Sequence, residues 1–221
     1  VEQIIRQLGT NFRTERRAAM SEHTSEQRLI AACQTGDREA FRQLFEAYQE
    51  RVWSIAIHFT GEEQAARDIT QQVFLKLFAS IKQFRHEANF TTWLYRLVAN
   101  VCLDEQRRGR RFISFDFWRR ADEEDENGLL DWQQAQQFQQ SLQEECYTQA
   151  ELAAAIKAAV KELSPPLRLT ILLKYFEELS YEEIAQALNC SPGTVASRLN
   201  RGHKALAVRL AHLRQSLGSG I

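Results

Sequence analysis

Proline and glycine are scarce in this chain, with 3 Pro and 9 Gly among 221 residues. So few turn formers exclude a sandwich of many short strands and a collagen-like or loop-rich scaffold. Long apolar runs are missing as well. No stretch of about 18 apolar residues occurs, so membrane insertion is not expected. The N-terminus mixes charged and apolar residues and lacks the apolar core of a signal peptide. The four cysteines, Cys33, Cys102, Cys146 and Cys190, form no C-x-x-C pair, and none has a histidine at metal-ligand spacing. This pattern reads as buried, reduced thiols in a cytoplasmic protein, with no metal and no cofactor implied. Phosphate loops, metal-ligand sets and nucleophile–base motifs are also missing, so no catalytic residues are assigned and an enzyme is not expected.

Net charge is nearly missing too, at −1 overall. Segment by segment the balance is uneven. Residues 1–20 carry 4 basic and 2 acidic side chains, residues 21–111 carry 13 and 12, residues 112–149 carry 2 and 9, and residues 150–221 carry 9 and 6. An acidic middle therefore separates two mildly basic parts. After Ser191 there are five basic residues and no acid.

What is present is helical patterning. Hydrophobic residues make up 44 % and charged residues 26 %, enough for globular folding. Residues 1–24 are polar and weakly patterned and read as a flexible extension. From residue 25 to 111 the spacing predicts a helical unit. A short helix over Gln27–Cys33 ends at Gly36, and Asp37 caps a second helix with Phe41, Leu44, Phe45, Tyr48 and Val52 inward. Gly61 ends that helix. A third has Val73, Phe74, Leu77, Phe78 and Ile81 inward, and a loop from Phe84 to Phe90 leads to a fourth with Trp93, Leu94, Leu97, Val98 and Val101 inward. Residues 112–149, acidic and Gln-rich, read as a flexible linker. Phe115, Phe117, Trp118 and Trp132 within it either anchor a partner or pack on the neighbouring units.

A second helical unit is expected over 150–215. Leu152, Ile156, Val160 and Leu163 mark one helix. Ser164 caps the next, with Pro165 in its first turn and Leu169, Leu172, Leu173 and Phe176 inward. Ser180 and Glu183 form a capping box, Ile184, Ala185 and Leu188 face inward, and Asn189-Cys190 turn the chain. Ser191 caps a last helix with Val195, Leu199 and Leu206 buried. The fold class is thus all-α, two small helical domains joined by a flexible acidic linker.

Two constellations point to nucleic acid. Two short capped helices around Asn189-Cys190, with small Ala185 at their crossing, have the helix-turn-helix pattern over about 180–200. The second presents Thr194, Ser197, Arg198 and Arg201 on one edge, with Lys204 one turn on, suited to a major groove. Its N-terminal amides suit phosphate. The other reading of this segment is a plain helical hairpin with a solvated basic face. The fourth helix carries Arg96, Asn100 and Arg107, with Arg107, Arg108, Arg110 and Arg111 at its exit and Trp93 and Tyr95 near its start. Cations, aromatics and an amide suit melting or single-stranded DNA. The bland alternative is a core aromatic beside a solvated basic edge.

The segments Phe90-Thr-Thr-Trp-Leu-Tyr-Arg-Leu-Val-Ala-Asn100 and Asp68-Ile-Thr-Gln-Gln-Val-Phe-Leu-Lys76 resemble region 2 of the extracytoplasmic-function (ECF) sigma factors. Leu179-Ser-Tyr-Glu-Glu-Ile-Ala and Gly193-Thr-Val-Ala-Ser-Arg-Leu resemble their region 4. The resemblance implies a factor that binds core RNA polymerase, recognises −35 and −10 promoter elements and promotes DNA melting and transcription initiation. It implies that Asp68, Gln71, Gln72, Phe74 and Lys76 grip the β′ clamp helices, and that region 4 meets the β flap. It further implies that the Phe84–Phe90 loop with Trp93, Arg96, Asn100, Arg107, Arg108 and Arg111 serves the −10 element, and that Thr194, Ser197, Arg198, Arg201 and Lys204 serve the −35 element. An anti-sigma factor is an implied partner. Gln72 stands where the family often has an acid, and Ala196 where a basic residue is common. A stand-alone regulator using only the helix-turn-helix is the alternative. It leaves the Asp68–Lys76 and Thr91–Arg111 patterns unexplained.

Overall fold

In a computed structural model of the protein, the described residues are 22–85, 89–111 and 149–211. Among them the expected all-α class holds, with no strand. A first unit comprises α1 (Glu22–Thr35), α2 (Arg38–Thr60), α3 (Glu63–Ser80), a single 3-10 turn (Ile81–Gln83) and α4 (Phe90–Arg111). A second comprises α5 (Gln149–Lys161), α6 (Pro165–Tyr175), α7 (Tyr181–Leu188) and α8 (Pro192–Arg209). The linker aromatics and Cys146 lie outside the described residues.

The helix ends follow local chemistry. Asp37 Oδ1 accepts from the amides of Glu39 (2.8 Å) and Ala40 (3.2 Å) at the start of α2, so two of its orphan donors are satisfied. Gly61 closes α2 at φ 69°, a left-handed conformation that favours glycine. Ser180 and Glu183 make the expected capping box: the Ser180 amide donates to Glu183 Oε2 (2.8 Å) and the Glu183 amide to Ser180 Oγ (3.2 Å). Asn189 turns the chain at φ 50°, and Ser191 Oγ accepts from the Thr194 amide at 3.1 Å. Two ends depart from expectation. Helix α1 starts at Glu22, earlier than Gln27. The Ser164 side chain makes no cap bond, because Pro165 and Pro166 remove the first two amide donors and the fixed proline φ starts α6 instead.

The first unit buries Leu44, Val52, Ile55, Ile69, Val73, Leu77, Leu94, Val98 and Val101. The second buries Ile156, Val160, Leu169, Leu172, Ile184, Val195, Leu199 and Leu206. Phe41, Phe45, Trp93, Leu97, Phe176 and Leu188, expected inward, are only partly buried. Phe78 is 56 % exposed. It follows Leu77 by one residue and so stands about 100° off the core stripe, where its ring meets Phe41 edge-on at 5.0 Å. The side chain of Leu152 lies outside the described residues.

The two units share one continuous core, a contact that local spacing does not announce. Helix α7 packs on α4, and α5 and α6 pack on α2. Arg168 of α6, 7 % exposed, donates to the carbonyl of Phe59 in α2 and to those of Lys161 and Leu163. Its guanidinium lies 5.1 Å from the Phe59 ring centre. One cation thus serves the C-terminal ends of α2 and α5, where carbonyls lack helical partners and carry the negative end of the helix dipole. Gly61 sits so close to α5 that a Cβ there would lie 2.9 Å from Lys161 Cδ.

Candidate nucleic-acid interface

Helix α8 shows how a small motif presents an edge. Val195, Leu199, Gly202 and Leu206 are buried against α6 and α7. A Cβ at Gly202 would lie 3.1 Å from Ile171 Cγ1, so the absent side chain permits a close approach to α6. Ala185 of α7 is 5 % exposed, as a tight crossing requires. The polar edge is left to solvent: Ser197 and Lys204 are exposed, and Thr194, Arg198 and Arg201 half-buried. Their side chains are laid along the helix. Thr194 shares a 2.9 Å hydrogen bond with Ser191 Oγ, Arg198 Nη1 stands 3.7 Å from Cys190 Sγ, and Arg201 Nη2 3.5 Å from Ser197 Oγ. These are exposed or weak contacts that a base edge or phosphate can replace at little cost.

Helix α4 carries the second set. Arg96, Asn100, Arg107 and Arg108 are exposed. Arg107 stands 3.4 Å from Asp104, and Arg108 3.8 Å from Glu105, surface pairs that are weak and easily exchanged. The side chain of Arg111 lies outside the described residues. Trp93 is half-buried among aromatics, with ring centres 5.1 Å from Phe84 and 5.9 Å from Phe90. Phe84 and Phe90 are themselves 5.6 Å apart, which fixes both ends of the expected loop; residues 86–88 between them lie outside the described residues. Gln34 of α1 donates to the carbonyls of Ile81 (3.1 Å) and Phe84 (2.9 Å), holding the entry to that loop.

Helix α3 carries the third set, apart from the other two in sequence. Asp68, Gln71 and Lys76 are exposed, Gln72 is half-buried, and Phe74 is 5 % exposed. Phe74 meets Phe45 at 4.6 Å between ring centres. Lys76 lies 3.5 Å from Asp104 of α4. Among the described residues, no group of three or more His, Cys, Asp or Glu is placed to hold a metal ion. No described helix is long and apolar enough to cross a membrane.

Residues 44–112 match Sigma-70 region 2, and residues 145–206 match Sigma-70 region 4. The ECF RNA polymerase sigma factor SigW of Bacillus subtilis is 30 % identical over 184 residues, covering 83 % of this chain and 96 % of that one. This chain belongs to the ECF RNA polymerase sigma factors. RNA polymerase sigma-H factor of Pseudomonas aeruginosa is 32 % identical over 82 % of this chain and 91 % of its own length. ECF RNA polymerase sigma-E factor of Escherichia coli K12 is 32 % identical over 85 % and 95 %. Two solved structures share the fold. One is the sigma factor RpoE in complex with the anti-sigma factor NepR from Bartonella quintana (TM-score 0.55, 21 % identity, 77 % of this chain and 96 % of that one). The other is CnrH in complex with the cytosolic domain of CnrY (TM-score 0.56, 22 % identity, 83 % and 95 %).

The sigma factor has site features that sequence reasoning passed over. Leu75 is 62 % exposed beside Phe78. Together with Phe41, Phe45 and Phe74 they line an apolar groove of about 400 Å³ between α2 and α3, rimmed by Arg67 and Gln71. The signal was available: in Phe74-Leu75-Lys76-Leu77-Phe78 not every apolar residue can face one core on a helix. Tyr95 of α4, expected with Trp93 to serve melting DNA, is instead fully buried, with its hydroxyl donating to Glu177; Ala99, at 2 % exposure, was missed, and Cys102 is buried as expected.

Proposed function

We propose that this ECF sigma factor binds core RNA polymerase through α3, reads a melting −10 element with α4 and reads a −35 element with α8. Three separate solvent-facing edges on three helices carry the assignment, each with chemistry suited to its target. On α3, Asp68, Gln71, Gln72 and Lys76 offer polar contacts beside exposed Leu75 and Phe78. Charged groups flanking apolar side chains suit a docking surface for the β′ clamp helices. Phe74 supports that surface from the core side. Region 4 meets the β flap.

On α4, Arg96 and Asn100 face a base that is readable on its pairing edge only after unstacking, at a cost of a few kcal/mol that a pocket must offset. Half-buried Trp93, backed by the buried rings of Phe84 and Phe90, offers the stacking surface, and Arg107, Arg108 and Arg111 neutralise backbone phosphates. On α8, Thr194, Ser197, Arg198, Arg201 and Lys204 read duplex DNA, with Ala196 leaving one position without a cation. The chain performs no catalysis and needs no cofactor. It works in the cytoplasm, where an anti-sigma factor covers its polymerase-binding face; the two structures of similar fold are each bound to such a partner or, for CnrH, to the cytosolic domain of CnrY.

The test is run-off transcription from a promoter library with core polymerase and the purified chain. Sigma-dependent transcripts are expected. Their absence, with the chain eluting free of polymerase on a sizing column, refutes the proposal. Within the same assay Asn100→Ala lowers open-complex formation and changes −10 choice, while Arg198→Ala weakens −35 binding by about tenfold. Unchanged open-complex formation by Asn100→Ala would remove that residue from the base-capture role.

A further inference from the structure

None of the docking and reading edges lies on α1, and that helix precedes residues 44–112, which match Sigma-70 region 2. Its place is nonetheless fixed by the core. Ile30 and Cys33 are buried, and α1 packs on α2 and on the 3-10 turn that follows α3. Two of its polar side chains serve the same neighbourhood. One is Gln34. Its Nε2 donates to the carbonyls of Ile81 (3.1 Å) and Phe84 (2.9 Å). An amide nitrogen has two N–H groups, and both are used. The Ile81 carbonyl also accepts from the Phe84 amide, the bond that closes the 3-10 turn, so Gln34 clamps the turn at its last bond. The Phe84 carbonyl lies past the end of the turn, where no helical donor follows. Both residues are buried, so water is a poor substitute for the Gln34 amide.

The other is Glu26, which accepts from the Tyr48 hydroxyl of α2. The Thr91 side chain bonds the same hydroxyl, and the Tyr48 ring meets Phe90 edge-on at 5.4 Å. Phe84 and Phe90 each pack on Trp93. One helix therefore holds the residues on both sides of Trp93: Gln34 acts through the Phe84 backbone, and Glu26 through Tyr48 on the Phe90 ring. The tilt of the Trp93 ring follows theirs. A stacking partner that is not already in place must be ordered when the base arrives, and that ordering cost is subtracted from capture.

We propose that Gln34 is a positioning residue for −10 reading: from outside the DNA-binding helices it fixes Phe84, while Glu26 and Tyr48 fix Phe90, so that Trp93 is in place before a base unstacks. This rests on the assignment of Trp93, Arg96 and Asn100 to the −10 element. Gln34 itself touches no base. What its place requires is a donor of two hydrogen bonds at the end of a long side chain, not an amide as such. A leucine has similar bulk and no donor. A glutamate has the same shape and turns a carboxylate towards two carbonyls. A lysine restores donors on a stem one bond longer.

The test is run-off transcription with core polymerase and the full chain on a pair of promoters. The pair shares a −35 element and differs at a single −10 base, the preferred base of the library against its poorest substitute. The ratio of the two transcripts measures −10 discrimination and cancels changes in folding or polymerase affinity. Gln34→Leu is expected to lower that ratio by about three- to tenfold, the scale of a hydrogen bond, and Gln34→Glu by more. Gln34→Lys, whose ammonium donates to the same carbonyls, keeps the ratio within about twofold of wild type. Tyr48→Phe, which keeps the ring on Phe90 and releases Glu26, lowers it by about twofold. An unchanged ratio for Gln34→Leu and Gln34→Glu overturns the proposal, whether or not total transcription falls. So does a Gln34→Lys chain that discriminates as poorly as Gln34→Leu. A wild-type chain that transcribes both promoters equally refutes the −10 assignment and the role of Gln34 together, whereas equal discrimination by wild type and Gln34→Leu refutes the role of Gln34 alone.

Discussion

Helices α4 and α8 each turn cations to solvent, yet they are held in different ways. Helix α8 is buried on one stripe, Val195, Leu199, Gly202 and Leu206, by helices of its own unit. Helix α4 lies between two layers, α2 and α3 on one side and α6 and α7 on the other. A helix held on one side keeps its exposed edge whatever the other unit does. A helix held on both sides owes part of its burial to a contact made across the whole chain, and its free edge shrinks to the strip around Arg96, Asn100 and Arg107. The difference teaches that one cationic helix is autonomous and the other is tied to where region 4 sits.

The largest expected effect tests that difference in packing. Leu94 is fully buried in α4 and Leu199 is 2 % exposed in α8. Truncation of a buried leucine to alanine costs about 2–5 kcal/mol, set by how far the cavity can collapse. Leu94→Ala belongs at the upper end, because neighbours on both sides of α4 hold the cavity open. Leu199→Ala belongs at the lower end, because α8 has one free side and can settle inward. Urea unfolding of the two variants measures this directly. An equal or larger loss for Leu199→Ala would erase the distinction drawn between the helices.

How much of this was legible in the sequence depends on the distance of the partner. Caps were legible because the donor and acceptor lie two or three residues apart: Asp37, Ser180 with Glu183, and Ser191 all act as their neighbours dictate. The α8 edge was legible for the same reason, since positions 194, 197, 198, 201 and 204 share a side at 3.6 residues per turn. The contact between the units was not. Tyr95 and Ala99 are ambiguous between core and surface, Cys102 reads as buried without saying against what, and the partners of Tyr95 and Cys102 come from beyond residue 148. Arg168 and Glu177 read by default as solvated charges. A charge inside the apolar run Leu167-Arg-Leu-Thr-Ile-Leu-Leu was nonetheless a sign of a buried partner. On α3 a contiguous motif spread around the helix, so Phe74 fell inside while Leu75 and Phe78 fell outside.

A smaller effect is expected at Ser180, where α7 begins. Its hydroxyl accepts from the Glu183 amide, and the Glu183 carboxylate returns the bond to the Ser180 amide. Ser180→Ala removes the first of these and costs about 1 kcal/mol. Because α7 touches both α4 and α8, the loss sharpens the comparison when read by amide hydrogen exchange. Faster exchange is expected in α7 and α8, with α3 unchanged. Exchange altered only at residues 180–183 would mean that α7 does not couple α4 and α8.

The smallest effect concerns pH and the side of α2 facing region 4. His58 Nδ1 donates to the Ser54 carbonyl at 2.7 Å, and its ring centre lies 4.5 Å from that of Phe176. Ala153, Ile156, Val160 and Leu172 line the adjoining cavity, with Lys157 at its rim. Burial lowers the His58 pKa from its ordinary 6.5, the Lys157 charge lowers it further, and the Ser54 carbonyl opposes both. The folded chain therefore resists a proton that the unfolded chain accepts. Stability from this site is complete above about pH 6.5 and declines as pH falls towards the depressed value. The urea midpoint should fall by a few tenths of a molar between pH 7 and pH 5.5, and His58→Gln should remove that part of the dependence. An identical pH profile for His58→Gln would place the titration elsewhere. Since the ring meets Phe176 of region 4, the same proton also weakens the contact that ties α2 and α4 to the second unit, and α8, held within its own unit, should be the last part of the chain to respond.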